Sequence, residues 1–534
     1  MQNEGAALAD AMTTTATGAA QEVSVSERSE RPEDTAEPSL VPERSGGKSE
    51  RSERSEDTAE PSLVPERSGG KSERSERPED TADHDTNPPP DLRTATAIAA
   101  AVRDGAVRPE RIAEAALERI RLGDPKVNAF SLVRAEQAVA EARALAERPD
   151  LDALALAGVP IAVKNNIDVT GEVTRGGSLA GDERPASADH PVVRRLRAAG
   201  AVVVGLTELP EFGLFGTTDT PARITRSPWN TRYSAGGSSG GSGAAVGAGL
   251  VPVAHGNDGM GSIRIPAAAC GVFGVKPGRG MVPAEVGLDS WGGLAENGVL
   301  ATTVADAALV LSVLADQPTL ADLESPAGLR IALAVGAPSP LMRADEHWSR
   351  AASDAAHVAR EAGHTVREAE LPYAGATTAL TLRWVSNAAR EADAVAHPER
   401  LQRRTRTHIA LGRAVLRAGL VRPSQVDRIE ARLLEFFDQH DVVITPTLAT
   451  PPPRAVAWHS RGWLANVVTN ARYSPFTPLW NLVGWPAVSV PMGLHPRTGT
   501  PVAAQLAGPP RSESTLLRLA AQLESAHPWR RTAP

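Results

Sequence analysis

"AGGSSGGSGAAVGAGLVPVAHGNDGMGSIRIP", residues 235–266, crowds glycine, serine and a few charged residues between apolar runs. Glycine is costly to order and adds no side-chain packing, so its clustering predicts backbone that turns sharply or is closely approached. Residues 235–250 have the composition of a flexible linker, yet they run directly into an Ala/Val helix and then "VPVAHGND", where a linker would join domains. A shaped loop that opens a helix and points several N–H groups at one place fits better. Both "GGSSG" and "GSSGG" satisfy the G-x-S-x-G nucleophile-elbow pattern. That elbow requires an apolar strand just before it, and "RSPWNTRYSA" does not supply one.

Working outward, apolar runs alternate with helical patterns. Upstream come "GVPIAVKNNIDV", "PVVRRLRAAG" and "AVVVGLTE"; downstream come "LRIALAVG", a helix near 347–362, "DVVITPT" and a final helix near 513–526. Three amphipathic helices precede them, in "TATAIAAAVRDG", "RPERIAEAALERIRLGD" and "VRAEQAVAEARALAERP". This alternation predicts an α/β fold, a sandwich around a largely buried sheet. No polar linker interrupts residues 91–534, which therefore read as one domain, and the span 374–440 reads as helical and able to cover a site.

Residues 1–90 differ. The unit "EDTAEPSLVPERSGGKSERSE" begins at Glu33 and again at Glu56, with a truncated copy from Glu79, a 23-residue period. Each unit offers only Leu and Val amid Ser, Glu, Arg and Pro, too little apolar surface to offset the entropy of ordering, so a disordered tail is expected. Its "SGGKS" lacks the first glycine and the preceding strand of a phosphate-binding loop.

Composition narrows the function. A formal net charge of -8 and a pI near 5.9 leave no basic excess to neutralise phosphates, so a small neutral ligand is expected before nucleic acid. The longest apolar runs are too short to span a bilayer, and the N-terminus has no basic-then-apolar signal pattern, so a soluble cytoplasmic protein is expected, without a membrane partner. The single cysteine, Cys270, excludes an intramolecular disulfide and a cysteine-rich metal site, and reads as a small buried hydrophobe. No metal or cofactor is implied.

Among the serines, Ser238, Ser239, Ser242 and Ser262 are candidate nucleophiles, each needing a base to take its proton. His255 is the one nearby histidine, at the end of an apolar segment where a hydrogen-bonded structural role is expected. Lys164 ends the apolar run "PIAV"; burial would lower its pKa and make it a base near neutrality. Pairing with Asp168 or another carboxylate is the competing role, and spacing does not choose between them.

"VKNNIDVTG", the stretch 235–280, "DVVITPT" and "GTPVAAQLAG" together resemble the amidase signature family of serine hydrolases, from about residue 94 to the C-terminus. The resemblance implies a single large α/β/α sandwich around a mixed central sheet, and amide hydrolysis by a Ser-Ser-Lys triad: Ser262 as nucleophile, Ser238 as bridging serine on a cis peptide bond, and Lys164 as base. It implies an oxyanion hole from the amides of Gly259, Met260, Gly261 and Ser262, where glycine leaves the approach clear. Asp258 and Arg264 resemble the family's buried acid and arginine, an ion pair that fixes the loop, and Ser239 has a supporting role. Three residues depart from the pattern: Asn165 for aspartate, Asn257 for threonine and Met260 for glycine. Met260 keeps its backbone amide, and its side chain is expected in the core.

The expected partner is a small-molecule amide. A second reading within the family is the amidotransferase component of a tRNA-dependent complex, and a third is a non-catalytic scaffold whose repeats bind partners. Trp463, Trp480 and Trp485 could line an aromatic or acyl pocket, with core packing the more ordinary role.

Overall fold

The computed structural model describes residues 93–339 and 342–534, so the 1–90 tail and its repeats lie outside the described residues. The buried run "PIAVK" forms strand β2 (Pro160–Lys164) and "VVVGLT" forms β3 (Val202–Thr207), both covered on every residue. Such continuous apolar runs are what a strand covered on both faces requires. They pair in parallel with each other, and β2 pairs in parallel with β4 (Val253–Asp258).

Eight further strands complete one sheet: β1 (Phe130–Val133), β5 (Phe273–Lys276), β6 (Glu296–Ala301), β7 (Arg330–Leu333), β8 (Thr365–Glu368), β9 (Val442–Pro446), β10 (Ala487–Leu494) and β11 (Pro501–Ala507). The order is β1-β3-β2-β4-β6-β5-β10-β11-β9-β7-β8. Parallel pairs at both wings flank antiparallel pairs in the centre, where β4 meets β6, β6 meets β5 and β10 meets β5 and β11. This is a mixed sheet, as the family resemblance implied.

Helices cover the sheet in two layers. Glu513–Ala526 packs on Val304–Ala315 and Glu346–Glu361 on one side, and Gly240–Gly247 packs on Arg264–Cys270 on the other. Gly240–Gly247 is wholly buried, and its small residues let it lie close to the sheet. A Cβ on Gly241 would sit 2.4 Å from both the Ala129 carbonyl oxygen and the Glu208 nitrogen, so the close approach requires glycine there. The three N-terminal helices form at Ala95–Arg103, Pro109–Val127 and Ala135–Ala146. The span near 374–440 is helical, as Ala376–Glu391, Arg403–Arg417 and Ser424–Phe437. All described residues belong to one compact unit, and none of their helices is long and apolar enough to cross a membrane.

Candidate active site

Because β2 and β4 run in parallel, with Ala162 opposite Ala254, their C-terminal ends meet at one edge of the sheet. That edge is where parallel sheets present ligands. Lys164 is the last residue of β2, and Asn257 and Asp258 are the last two of β4. Ser238 and Ser239 immediately precede the helix Gly240–Gly247, and Ser262 lies in the turn between β4 and the helix Arg264–Cys270. The topology therefore gathers three separated segments.

Lys164 is fully buried, with Nζ 2.8 Å from Ser238 Oγ and 2.7 Å from Asn257 Oδ1. Burial pulls its pKa down to about 7, against the opposing pull of the Asp258 charge. Asp168, the alternative partner, instead accepts from Thr174 Oγ1. The Gly237–Ser238 peptide is cis. Ser238 and Ser262 both line one cavity, without a direct hydrogen bond between their hydroxyls among the described residues; backbone joins the segments, with Ser239 N donating to Ser262 O at 3.1 Å. Hydroxyl contacts of this kind commonly tighten only when substrate is bound.

Asp258 organises the turn. Its carboxylate accepts from the amides of Gly261 at 2.5 Å and Ile263 at 3.1 Å. It also forms a two-armed pair with Arg264, from Nε at 2.9 Å and Nη2 at 3.0 Å. Burial alone would raise the Asp258 pKa, but the Arg264 charge overrides it and holds the carboxyl far below its ordinary range. Arg264 in turn donates to Thr477 O, Gln505 Oε1 and Asn481 Oδ1. Both residues are completely buried, so this is a structural ion pair with every arm satisfied.

The four amides expected to face an oxyanion do not behave alike. Gly259, Met260 and Ser262 line the cavity, and their N–H groups have no hydrogen-bond partner among the described residues. Gly261 does not line it, because its N–H is directed at Asp258. Its φ of +114°, and a Cβ that would fall 2.1 Å from Thr477 Oγ1, explain why glycine stands there.

Other expected residues fall into place. Ser239 Oγ donates to Asn257 O at 3.2 Å, tying the helix start to β4. Asn165 donates to Ser131 Oγ and accepts from Arg175 N, bracing the segment after β2. His255 is buried between the Lys164 amide, which donates to Nδ1, and Asn297 Oδ1, and burial drops its pKa to about 3. It is therefore a neutral structural histidine. Cys270 is buried, with Sγ donating to Ala235 O.

The cavity measures about 390 Å³, within the range of small-molecule sites. One expectation about its wall is corrected, and the core role expected of Trp480 and Trp485 is met. Met260 does not retreat into the core but lines the cavity while packing on two apolar clusters. Trp480 and Trp485 are buried core residues and Trp463 caps His408, whereas Trp291 and Trp384, together with Phe212 and Phe215, form the aromatic wall. Sequence offers no signal for these two tryptophans, since neither adjoins a motif. Asn257 is the other residue whose role the sequence does not disclose: there it is only a departure from the family pattern, and in the fold it holds the lysine.

One group among the described residues could hold a cation, Asp345, His347 and His495, with donor atoms within 4.8 Å of one another. None of the three lines the cavity, and Asp345 already caps the helix Glu346–Glu361 and meets Arg497.

Comparison with known proteins gives the arrangement its relatives. A family model described as Amidase matches residues 111–517. A Mycobacterium tuberculosis (strain ATCC 25618 / H37Rv) protein named "Putative amidase AmiB2" is 42% identical over 460 residues, covering 84% of this chain and 99% of its own. Among solved structures, 6-aminohexanoate cyclic dimer hydrolase complexed with substrate is 30% identical with a TM-score of 0.73, covering 83% of this chain and 99% of its own. A glutamyl-tRNA(Gln) amidotransferase component from Thermotoga maritima is 27% identical with a TM-score of 0.63, covering 80% of this chain and 94% of its own.

Proposed function

The chain belongs to the amidase signature family and is an amidohydrolase acting on carbon–nitrogen bonds, and on that footing we propose that it hydrolyses a carboxylic acid amide through an acyl-enzyme on Ser262. The observation that carries this reading is the buried Lys164 amine at 2.8 Å from Ser238 Oγ, with a pKa near 7.

A neutral amine has two N–H donors and one lone pair. Asn257 takes the donors, through Oδ1 at 2.7 Å and its carbonyl at 3.4 Å, so the lone pair is left to accept the Ser238 hydroxyl proton. Ser238 then accepts the Ser262 proton as Ser262 Oγ attacks the amide carbon. The carbonyl π pair moves to oxygen, and the amides of Gly259, Met260 and Ser262 stabilise the charge, each worth roughly 3 kcal/mol in comparable sites. Collapse of the tetrahedral intermediate breaks the C–N bond, and the relay returns the proton to the departing nitrogen. Water repeats the sequence on the ester and releases the acid.

The test is turnover of a panel of aliphatic, aromatic and cyclic amides, with fluorophosphonate labelling of wild type and Ser262→Ala. Loss of labelling and of turnover together in the variant supports the assignment; retention of either overturns it. The amidotransferase reading has the 27% structural likeness behind it, while the 42% identical relative bears an amidase name. Hydrolysis by the purified chain without tRNA or an added protein separates the two.

A further inference from the structure

We propose that a second cavity, of about 400 Å³, binds a small organic oxyanion: a phosphate or carboxylate group carried on an apolar body. Arg454, Arg461 and Arg472 stand on its wall, and no acidic residue does. None of the three guanidinium groups has a carboxylate partner among the described residues. Some arginines elsewhere meet a carboxylate, as Arg330 meets Asp441 and Arg197 meets Asp189, each at 2.6 Å, and others do not; what sets these three apart is that they gather around one hollow. The carboxylate of Asp219 gives no relief, because it is buried and already shared by His459 at 2.9 Å and Arg404 at 3.4 Å. With a formal net charge of -8 for the chain, three cations without a carboxylate around one hollow are not a by-product of overall basicity.

Two of the cations lie over aromatic faces. Arg454 Cζ lies 4.5 Å from the Tyr233 ring centroid, and Arg461 Cζ lies 4.4 Å from that of Trp458. A guanidinium positioned by a ring face still has N–H donors to offer an oxyanion, in the fork that matches carboxylate or phosphate. Pro451, Pro453, Val456 and Trp458 supply an apolar floor, so the ligand's charge meets arginine and its body meets proline and tryptophan.

This cavity is distinct from the catalytic one, since no residue lines both. The helix Trp463–Tyr473 stands between them: Val467, Asn470 and Ala471 face the catalytic cavity, and Thr469, Arg472 and Tyr473 face the second.

Calorimetric titration of the full chain with phenyl phosphate and with inorganic phosphate tests the proposal. Phenyl phosphate is expected to bind saturably and more tightly than inorganic phosphate. Arg461→Gln/Arg472→Gln should weaken it by about tenfold or more, because charge-assisted contacts are lost. Arg175→Gln, which removes a cation from the catalytic cavity wall, should leave it unchanged. Circular dichroism establishes that the variants fold, and Arg454→Gln, on a separate segment, should give the same direction if the double variant does not fold. Absence of saturable binding up to about 10 mM, an affinity unchanged in the folded arginine variants, loss in Arg175→Gln instead, or equal affinity for the two probes would each overturn the proposal.

Discussion

Asn257 Oδ1 sits 2.7 Å from Lys164 Nζ, as close to that nitrogen as the serine hydroxyl on its other side. The amide side chain offers a neutral acceptor where a carboxylate would offer a charge, and so leaves the amine free to lose its proton. Asn257→Asp reverses this. An adjacent carboxylate favours the ammonium form, typically by about 1–3 pKa units, so the acid limb of the kcat/KM profile should move to higher pH by about that much. A profile that stays in place would show that Lys164 is not the titrating base.

The wild-type profile follows from the same group. Burial lowers the Lys164 pKa to about 7, and the proposed reaction uses its uncharged form. Activity is therefore expected to level off above pH 7 and to fall about tenfold per unit below it, until other groups intervene. Rates that rise on acidification would contradict the assignment.

The two adjacent serines should separate sharply. Ser238→Ala removes the link between the amine and the nucleophile, and should cost about 10²–10⁴ in kcat. Ser239→Ala removes only a 3.2 Å bond to the Asn257 carbonyl and should cost far less. Steady-state kinetics on any cleaved amide reads the difference.

Arg264→Met leaves the Asp258 carboxylate buried without its partner. Breaking such a pair from one side destabilises by about 3–5 kcal/mol, so urea unfolding should show a large drop in midpoint. A midpoint near wild type would mean that the pair contributes little.

Gly261→Ala should damage the site more than the fold. The added Cβ would meet Thr477 Oγ1 and would have to adopt a φ of +114°, which displaces the turn carrying Ser262. Reduced kcat in a protein that retains its far-UV circular dichroism is the expected outcome; unaltered kcat would show that the turn tolerates the shift.

Much of this was legible in the chain. The alternation of "PIAVK", "VVVGLT" and helical patterns foretold a buried sheet in an α/β sandwich, because burial on both faces demands continuous apolar strands. Lys164 announced itself at the end of one of them. What stayed hidden depends on residues that meet only in three dimensions. Besides Asp258, the partners of Arg264 are Thr477, Asn481 and Gln505, 213 to 241 positions away. The role of Gly261 depends on where the Asp258 carboxylate points, and the aromatic wall is built by Trp291 and Trp384, whose local sequence resembles that of any packed tryptophan.

The long reach of Arg264 has a bearing on biosynthesis. The guanidinium that fixes the turn before Ser262 leans on Thr477, Asn481 and Gln505, segments synthesised more than 200 residues after it. A nascent chain carries Ser262 for more than 200 residues before those braces exist, so the turn is expected to take its final form only once they have emerged, and a chain truncated before residue 477 is expected to show no turnover.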